Sequence, residues 1–285
     1  MIQIVKYIIG KLQFLYADIF HKDAIKLFWH RGKSNFGDVL NPLLIEKITG
    51  KQVVWVYPKF STKKNYIAIG SILESASSST VVWGAGFISK AGHCHKTPLK
   101  VCAVRGPLTR DKLLQDGIDC PEIYGDPALL LPKIYNPSIE KKFELGIIPH
   151  FVDKDNIWLR NIQNNTEIKI LDIQESNPYD LIDQLLSCKK IASSSLHGII
   201  VADAYSIPSL WIDLSDQVIG DGFKFLDYFA SVKRKDVDPF KIDLDTNVKS
   251  IYENFYNYKI DIDIDALIDA FPLDLKDEYI GKLCG

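Results

Sequence analysis

The 285-residue chain has no excess of charge of one sign: 34 Lys and Arg stand against 36 Asp and Glu, a formal net charge of −2. So near neutrality, and with no Lys/Arg block, it has no bulk attraction to nucleic acid, and no such partner is expected. Cysteine is scarce. Cys94, Cys102, Cys120, Cys188 and Cys284 are odd in number and irregularly spaced, with no CxxC pair, which excludes a disulfide framework. His93-Cys94-His95 looks metallic, but three consecutive residues cannot easily wrap one zinc and no second half with matching spacing follows, so no metal is expected. No window approaches about 18 uninterrupted apolar residues, so no helix is expected to span a bilayer. The N-terminal apolar stretch is broken by Lys6 and Lys11 and lacks a small-residue cleavage site, so no secretory signal is expected. What is present is ordinary globular composition, 47% hydrophobic and 25% charged, and the expected class is a cytoplasmic α/β protein.

Periodicity gives the organisation. Residues 1–22 place Val5, Ile8, Ile9, Leu12, Leu15, Tyr16 and Ile19 at three- and four-residue spacing, an amphipathic helix that either docks on the core or lies on a membrane surface. Short apolar runs at 26–29, 53–56, 66–70, 81–84 and 100–104 then alternate with helical patterns, the longest over 39–49 with Gly50 as its stop. A further strand is read at 122–124. Residues 131–138 carry two prolines and no apolar period and read as a linker. The alternation restarts with strands at 145–148, 168–171, 190–192 and 209–213, and helices at 155–163, 178–187 and 196–205. The acidic, aromatic tail has helical patterns at 246–258 and 264–271. Strand-helix alternation means parallel strands with crossover helices. Two such domains are expected, over 1–135 and 136–285. In open parallel sheets ligands bind beyond the carboxyl ends of the strands, so chemistry is sought in the strand-to-helix loops.

Five loops qualify. Asn35-Phe36-Gly37-Asp38 offers a carboxylate that either caps a helix or faces a cleft as acid or base. Gly84 and Gly86, in Trp83-Gly84-Ala85-Gly86, suit either a tight turn or a backbone phosphate cradle. In Val104-Arg105-Gly106-Pro107, Pro107 opens a helix, and a guanidinium at a helix N-terminus is disfavoured unless an anion joins it. Ser193-Ser194-Ser195-Leu196-His197-Gly198 sets hydroxyls and an imidazole at a helix start, where a neutral base is plausible. Lys224, in the glycine-flanked stretch 220–228, either snorkels at the surface or presents its ammonium to an anion.

These loops, with Gly125-Asp126-Pro127-Ala128, match in order and spacing the polysaccharide pyruvyl transferases over residues 28–230, and the chain resembles that family. The resemblance implies two Rossmann-like domains facing a cleft, as in GT-B glycosyltransferases, with a C-terminal helix returning to the first domain. It implies transfer of enolpyruvate from phosphoenolpyruvate to two hydroxyls of a sugar, in a polysaccharide or lipid-linked oligosaccharide, with no cofactor beyond that co-substrate. It places Asp38, Arg105 and His197 at the active site. Arg105, Ser195, Leu196, His197, Lys224, Gly84 and Gly86 would face the donor, and Asn35 and Asp38 the acceptor. Many members read Arg-Leu-His where this chain has Ser195-Leu196-His197, and Lys224 is expected to supply the missing cation. A lipid-linked acceptor would suit peripheral contact with the inner membrane face through residues 1–22. The competing expectations are a nucleotide-sugar glycosyltransferase of the same fold and a non-catalytic anion- or sugar-binding module.

Overall fold

A computed structural model describes residues 21–32 and 35–276. The helix expected over 1–22 lies outside them but for its last two residues, as does Cys284. The first sheet contains β1 (Ile25–Phe28), β2 (Val53–Trp55), β3 (Asn65–Ile67), β4 (Thr80–Trp83) and β5 (Lys100–Ala103). They pair in the order β2-β1-β3-β4-β5, every pair parallel. Its helices are α1 (Phe36–Thr49), α2 (Pro107–Gln115) and, after a 3-10 turn at Pro127–Leu130, α3 (Leu131–Ile134). β1 and β4 are buried along their whole length, which is why they read as apolar runs rather than alternations.

The second sheet repeats the plan. It contains β6 (Phe143–Ile148), β7 (Ile168–Ile170), β8 (Cys188–Ser193), β9 (Ser209–Asp213) and β10 (Phe240–Lys241), with α4 (Ile157–Ile162), α5 (Pro178–Leu186), α6 (Leu196–Ala204), α7 (Phe223–Ser231), α8 (Val248–Glu253) and α9 (Ile264–Asp269). The order is β10-β9-β8-β6-β7, again all parallel. In both sheets the first strand pairs with the second and the third, so both have a reversal of strand order beside the first strand. Such a switch point opens a crevice at the carboxyl edge of a sheet. The chain is therefore two parallel-sheet, Rossmann-like α/β units, as the alternation predicts.

Some boundaries differ. Residues 131–134, expected in the linker, form α3, because Leu131 is fully buried and anchors the turn. The strand expected at 122–124 is a single bridge from Tyr124 to Val104. The helix expected over 246–258 is six residues long. The tail returns to the first sheet: Trp83 Nε1 donates to the Leu267 carbonyl at 2.8 Å, Phe271 meets the Trp83 ring edge-on at 4.6 Å, and Lys276 N–H reaches the Ile48 carbonyl at 2.8 Å.

Helix α7, from the second half of the chain, is clamped to α2, from the first. Asp227 is fully buried and takes a hydrogen bond from Arg105 Nε at 2.9 Å. It also accepts from the Thr109 backbone N–H at 2.8 Å and the Thr109 hydroxyl at 2.7 Å. Asp227 thereby caps α2 from outside, a service that Gly106 at the N-cap cannot perform. Gly106 has no side chain for a steric reason: a Cβ there would lie 1.9 Å from the Asp227 carbonyl oxygen. Removing one partner of a buried pair strands the other charge. Arg105→Met is therefore expected to destabilise the protein by about 3–5 kcal/mol in urea unfolding, and Arg105→Met with Asp227→Leu to recover part of that loss.

Candidate active site

The two switch points face one another across a cavity of about 370 Å³, within the usual range for small-ligand sites. The first half contributes His30, Asn35 and Asp38 from the loop after β1 and the start of α1, and Gly70 and Ser71 from the loop after β3. The second contributes His150 after β6, Ser195, Leu196 and His197 at the start of α6, and Lys224 in α7. Asn41, fully buried in α1, fixes the first wall. Its amide donates to the carbonyls of Gly37 and Ile69 at 3.2 and 3.0 Å and accepts from Ile69 N–H at 2.9 Å. In the second wall the serine run joins strand ends. Ser193 Oγ donates to the Ile148 carbonyl at 2.9 Å, and Ser194 Oγ accepts from His150 N–H at 2.8 Å. The Phe36 N–H donates to the Ile173 carbonyl at 2.9 Å, tying the halves together beside the cavity.

Asp38 is the third residue of α1, not its cap; that position belongs to Asn35. One Asp38 oxygen accepts from His30 N–H at 3.0 Å. Burial raises its pKa to about 6, against the lowering pull of His197 and His30. His197 is nearly buried, and its ring edge lies where a Gly37 side chain would be: a Cβ there would come within 2.1 Å of Nδ1. Lys224 sits in the first turn of a helix rather than in a loop, and is 8% exposed. Its ammonium lies over the Phe225 ring, 5.5 Å from the centroid, and has no hydrogen bond or ion pair among the described residues. Burial, with the nearby Arg105 charge, lowers its pKa to about 8. His150, which the sequence reading passed over, is lowered to about 4 by burial and by Lys224. It is thus a neutral imidazole, and its Nδ1 accepts from Val152 N–H at 3.4 Å. Ser195 is the N-cap of α6 but makes no side-chain capping bond, and with Leu196 and His197 it lines the cavity, so the first N–H groups of that helix lack a side-chain cap from Ser195.

Three expected donor residues stand elsewhere. Arg105 is fully buried and is not on the cavity wall. Beyond Asp227, its guanidinium donates to Ser71 Oγ and the Phe87 carbonyl, both at 2.7 Å. The anion that joins it is Asp227, and Arg105 meets the cavity only through Ser71. Gly86 makes room for that guanidinium, since a Cβ would lie 2.5 Å from its central carbon. Gly84, at φ 93°, admits Pro127, whose Cδ would be 2.3 Å from a Cβ. Both are close-packing positions, and neither lines the cavity. His93 pairs with Asp116 at 2.8 Å, and among the described residues no cluster of three or more His, Cys, Asp or Glu could hold a metal ion.

The fold and site define a two-unit α/β protein with a cavity between its two parallel sheets lined by Asp38, His150, His197 and Lys224. A family model, polysaccharide pyruvyl transferase, matches residues 11–216, and the chain belongs to that family. It is 31% identical over 271 residues to "Uncharacterized protein L143" of Acanthamoeba polyphaga mimivirus, covering 92% of each chain. It is 26% identical over 219 residues to "Succinoglycan biosynthesis protein ExoV" of Rhizobium meliloti (strain 1021), covering 70% of this chain and 62% of that one. No solved structure matches it. No helix among the described residues is long and apolar enough to cross a membrane.

An acid held above its ordinary value binds its proton more tightly folded than unfolded, so it withdraws stability as pH rises from 3.8 to about 6. Between about pH 4 and pH 7 the native protein is expected to lose up to about 3 kcal/mol relative to Asp38→Asn, measured by urea unfolding at each pH.

Proposed function

We propose that the protein transfers a pyruvyl group from phosphoenolpyruvate to two hydroxyls of a sugar, in a polysaccharide or lipid-linked repeat unit, closing a ketal and releasing phosphate. Its two domains would act as the facing halves of a GT-B-like cleft. Support comes from family membership, from the relative named for succinoglycan biosynthesis, and above all from one observation. The Lys224 ammonium, unpaired among the described residues and carried on a residue only 8% exposed, opens on the same cavity as His197 and Asp38.

The donor carries a carboxylate and a phosphate, so it calls for a cation and oriented N–H groups. Lys224, the N–H groups at the start of α6 and neutral His150 would meet those anions; a buried ammonium lacking a counter-ion gains most from a ligand that supplies one. His197 would act as acid and base beside the donor, delivering a proton to the methylene carbon. That leaves an oxocarbenium-like centre at the middle carbon. One sugar hydroxyl adds there, giving its proton to Asp38, whose raised proton affinity makes it the better base. The second hydroxyl displaces phosphate. Of the two hydroxyl protons lost, one balances the new methyl group and the other leaves with phosphate. Asn35, beside Asp38, would orient the acceptor. Arg105 acts at one remove, holding Ser71 and the α2–α7 clamp.

Incubation with phosphoenolpyruvate and candidate glycans is expected to release phosphate and add a carboxyethylidene group by mass. Turnover with a nucleotide sugar instead would overturn the reading. His197→Ala is expected to abolish transfer while leaving the folded circular dichroism spectrum. Lys224→Met is expected to raise KM for phosphoenolpyruvate by about tenfold or more, the worth of one charge-assisted contact. In the native enzyme, that KM should rise as pH passes about 8 and the ammonium loses its proton.

A further inference from the structure

The Gly125-Asp126-Pro127-Ala128 segment has so far been given no part in the chemistry. Asp126 is fully buried. One of its oxygens caps the following turn, accepting from Ala128 N–H at 3.0 Å. The other, Oδ2, is buried with no hydrogen-bond partner among the described residues, and so is His197 Nε2; the two lie 3.7 Å apart. A carboxylate oxygen in such a place is costly to bury. A capping role explains Oδ1 and leaves Oδ2 unexplained. Catalytic pairs are commonly this loose before substrate closes on them.

The turn that carries Asp126 is held in place on several sides. Gly125 is left-handed at φ 137°, with Leu267 of the returning tail against it, and Gly84 lets Pro127 sit where a side chain would collide. Opposite, the Nδ1 edge of the imidazole lies against Gly37, between Asn35 and Asp38 on the cavity wall. The ring therefore has a sealed nitrogen facing Asp126 and another edge at the ligand space. The titratable groups around it are Asp38 from α1, Asp126 from the turn before α3, Lys224 from α7, His30 from the opposite wall of the cavity and His150 from its own.

We propose that Asp126 is the positioning residue of His197: its free oxygen keeps a proton on Nε2, fixes the ring plane and leaves Nδ1 as the nitrogen that exchanges protons with the ligand. This rests on the acid/base role given to His197 above. A carboxylate behind an imidazole sets its tautomer in the same way in serine proteases, where replacing it by the amide keeps the geometry and lowers kcat by about 10⁴.

The test uses the full chain labelled with ¹⁵N-histidine. There are six histidines, and His197→Gln assigns the resonance. In the native protein, at a pH where the imidazole is neutral, the His197 nitrogen shifts should report the Nε2–H tautomer. In Asp126→Asn, which retains an oxygen to cap Ala128, a substantial Nδ1–H population should appear. In the transfer assay kcat should fall by about 100-fold or more, with KM for phosphoenolpyruvate changed by less than about threefold. An unchanged tautomer ratio together with an unchanged kcat would overturn the proposal. Should Asp126→Asn fail to fold, Asp126→Ser keeps a cap, lacks the carboxylate and gives the same reading. The NMR measurement needs no turnover. A tautomer change in a chain that transfers no pyruvyl group would sustain the positioning role and refute the function; normal transfer by an Asp126→Asn protein with unaltered shifts would do the reverse.

Discussion

The buried ion pair between Arg105 and Asp227 is the constraint on which the rest of the arrangement depends. Each residue comes from a different half of the chain, and each is wholly removed from solvent. A buried pair contributes little net stability compared with apolar packing, but it tolerates few geometries. Here it sets the position of α7 on α2, and Lys224 lies three residues before Asp227 on that helix. The pair therefore decides where the Lys224 ammonium meets the cavity. Through the hydrogen bond from Arg105 to Ser71 it reaches the opposite wall as well.

Around that clamp the two sheets are alike in plan. Each places its first strand between its second and third, and each opens its switch point on the same space. The residues at the openings are not alike. The first wall presents a carboxyl group whose proton affinity is raised by burial, and the second an imidazole, a neutral histidine and the start of a helix whose cap residue makes no side-chain bond. The cavity is thus asymmetric, with the Asp38 carboxyl on one side and the Lys224 ammonium on the other.

Much of this was legible in the sequence, because buried parallel strands are short apolar runs between glycine, proline and serine, and such runs survive any detail of packing. The loops after them were legible for the same reason, and Asp38, His197 and Lys224 do share one cavity. What stayed hidden was pairing at long range. The physical argument that Arg105 needs an anion was sound, but nothing local says that the anion is Asp227, more than a hundred positions away. Gly84 and Gly86 offered phosphate-loop spacing; only the atoms opposite them, Pro127 and the Arg105 guanidinium, show that they are there for closeness. His150 lacked any motif, and its place follows from the strand order of the second sheet. Lys224 looked like part of a loop because Gly220 and Gly222 flank it on the N-terminal side, whereas Gly222 is the left-handed cap of α7.

The returning tail carries a consequence for the birth of the molecule. Trp83, in the first sheet, is covered by Leu267 and Phe271, and the Gly125 turn leans on Leu267. A ribosome makes the first sheet early but releases its cover only after the second sheet has been synthesised. Until then the nascent first unit keeps an open apolar flank, and the Asp126 turn lacks its backing. Apolar surface left open in this way is prone to wrong association, and the packing of the first unit is complete only once the tail has been made.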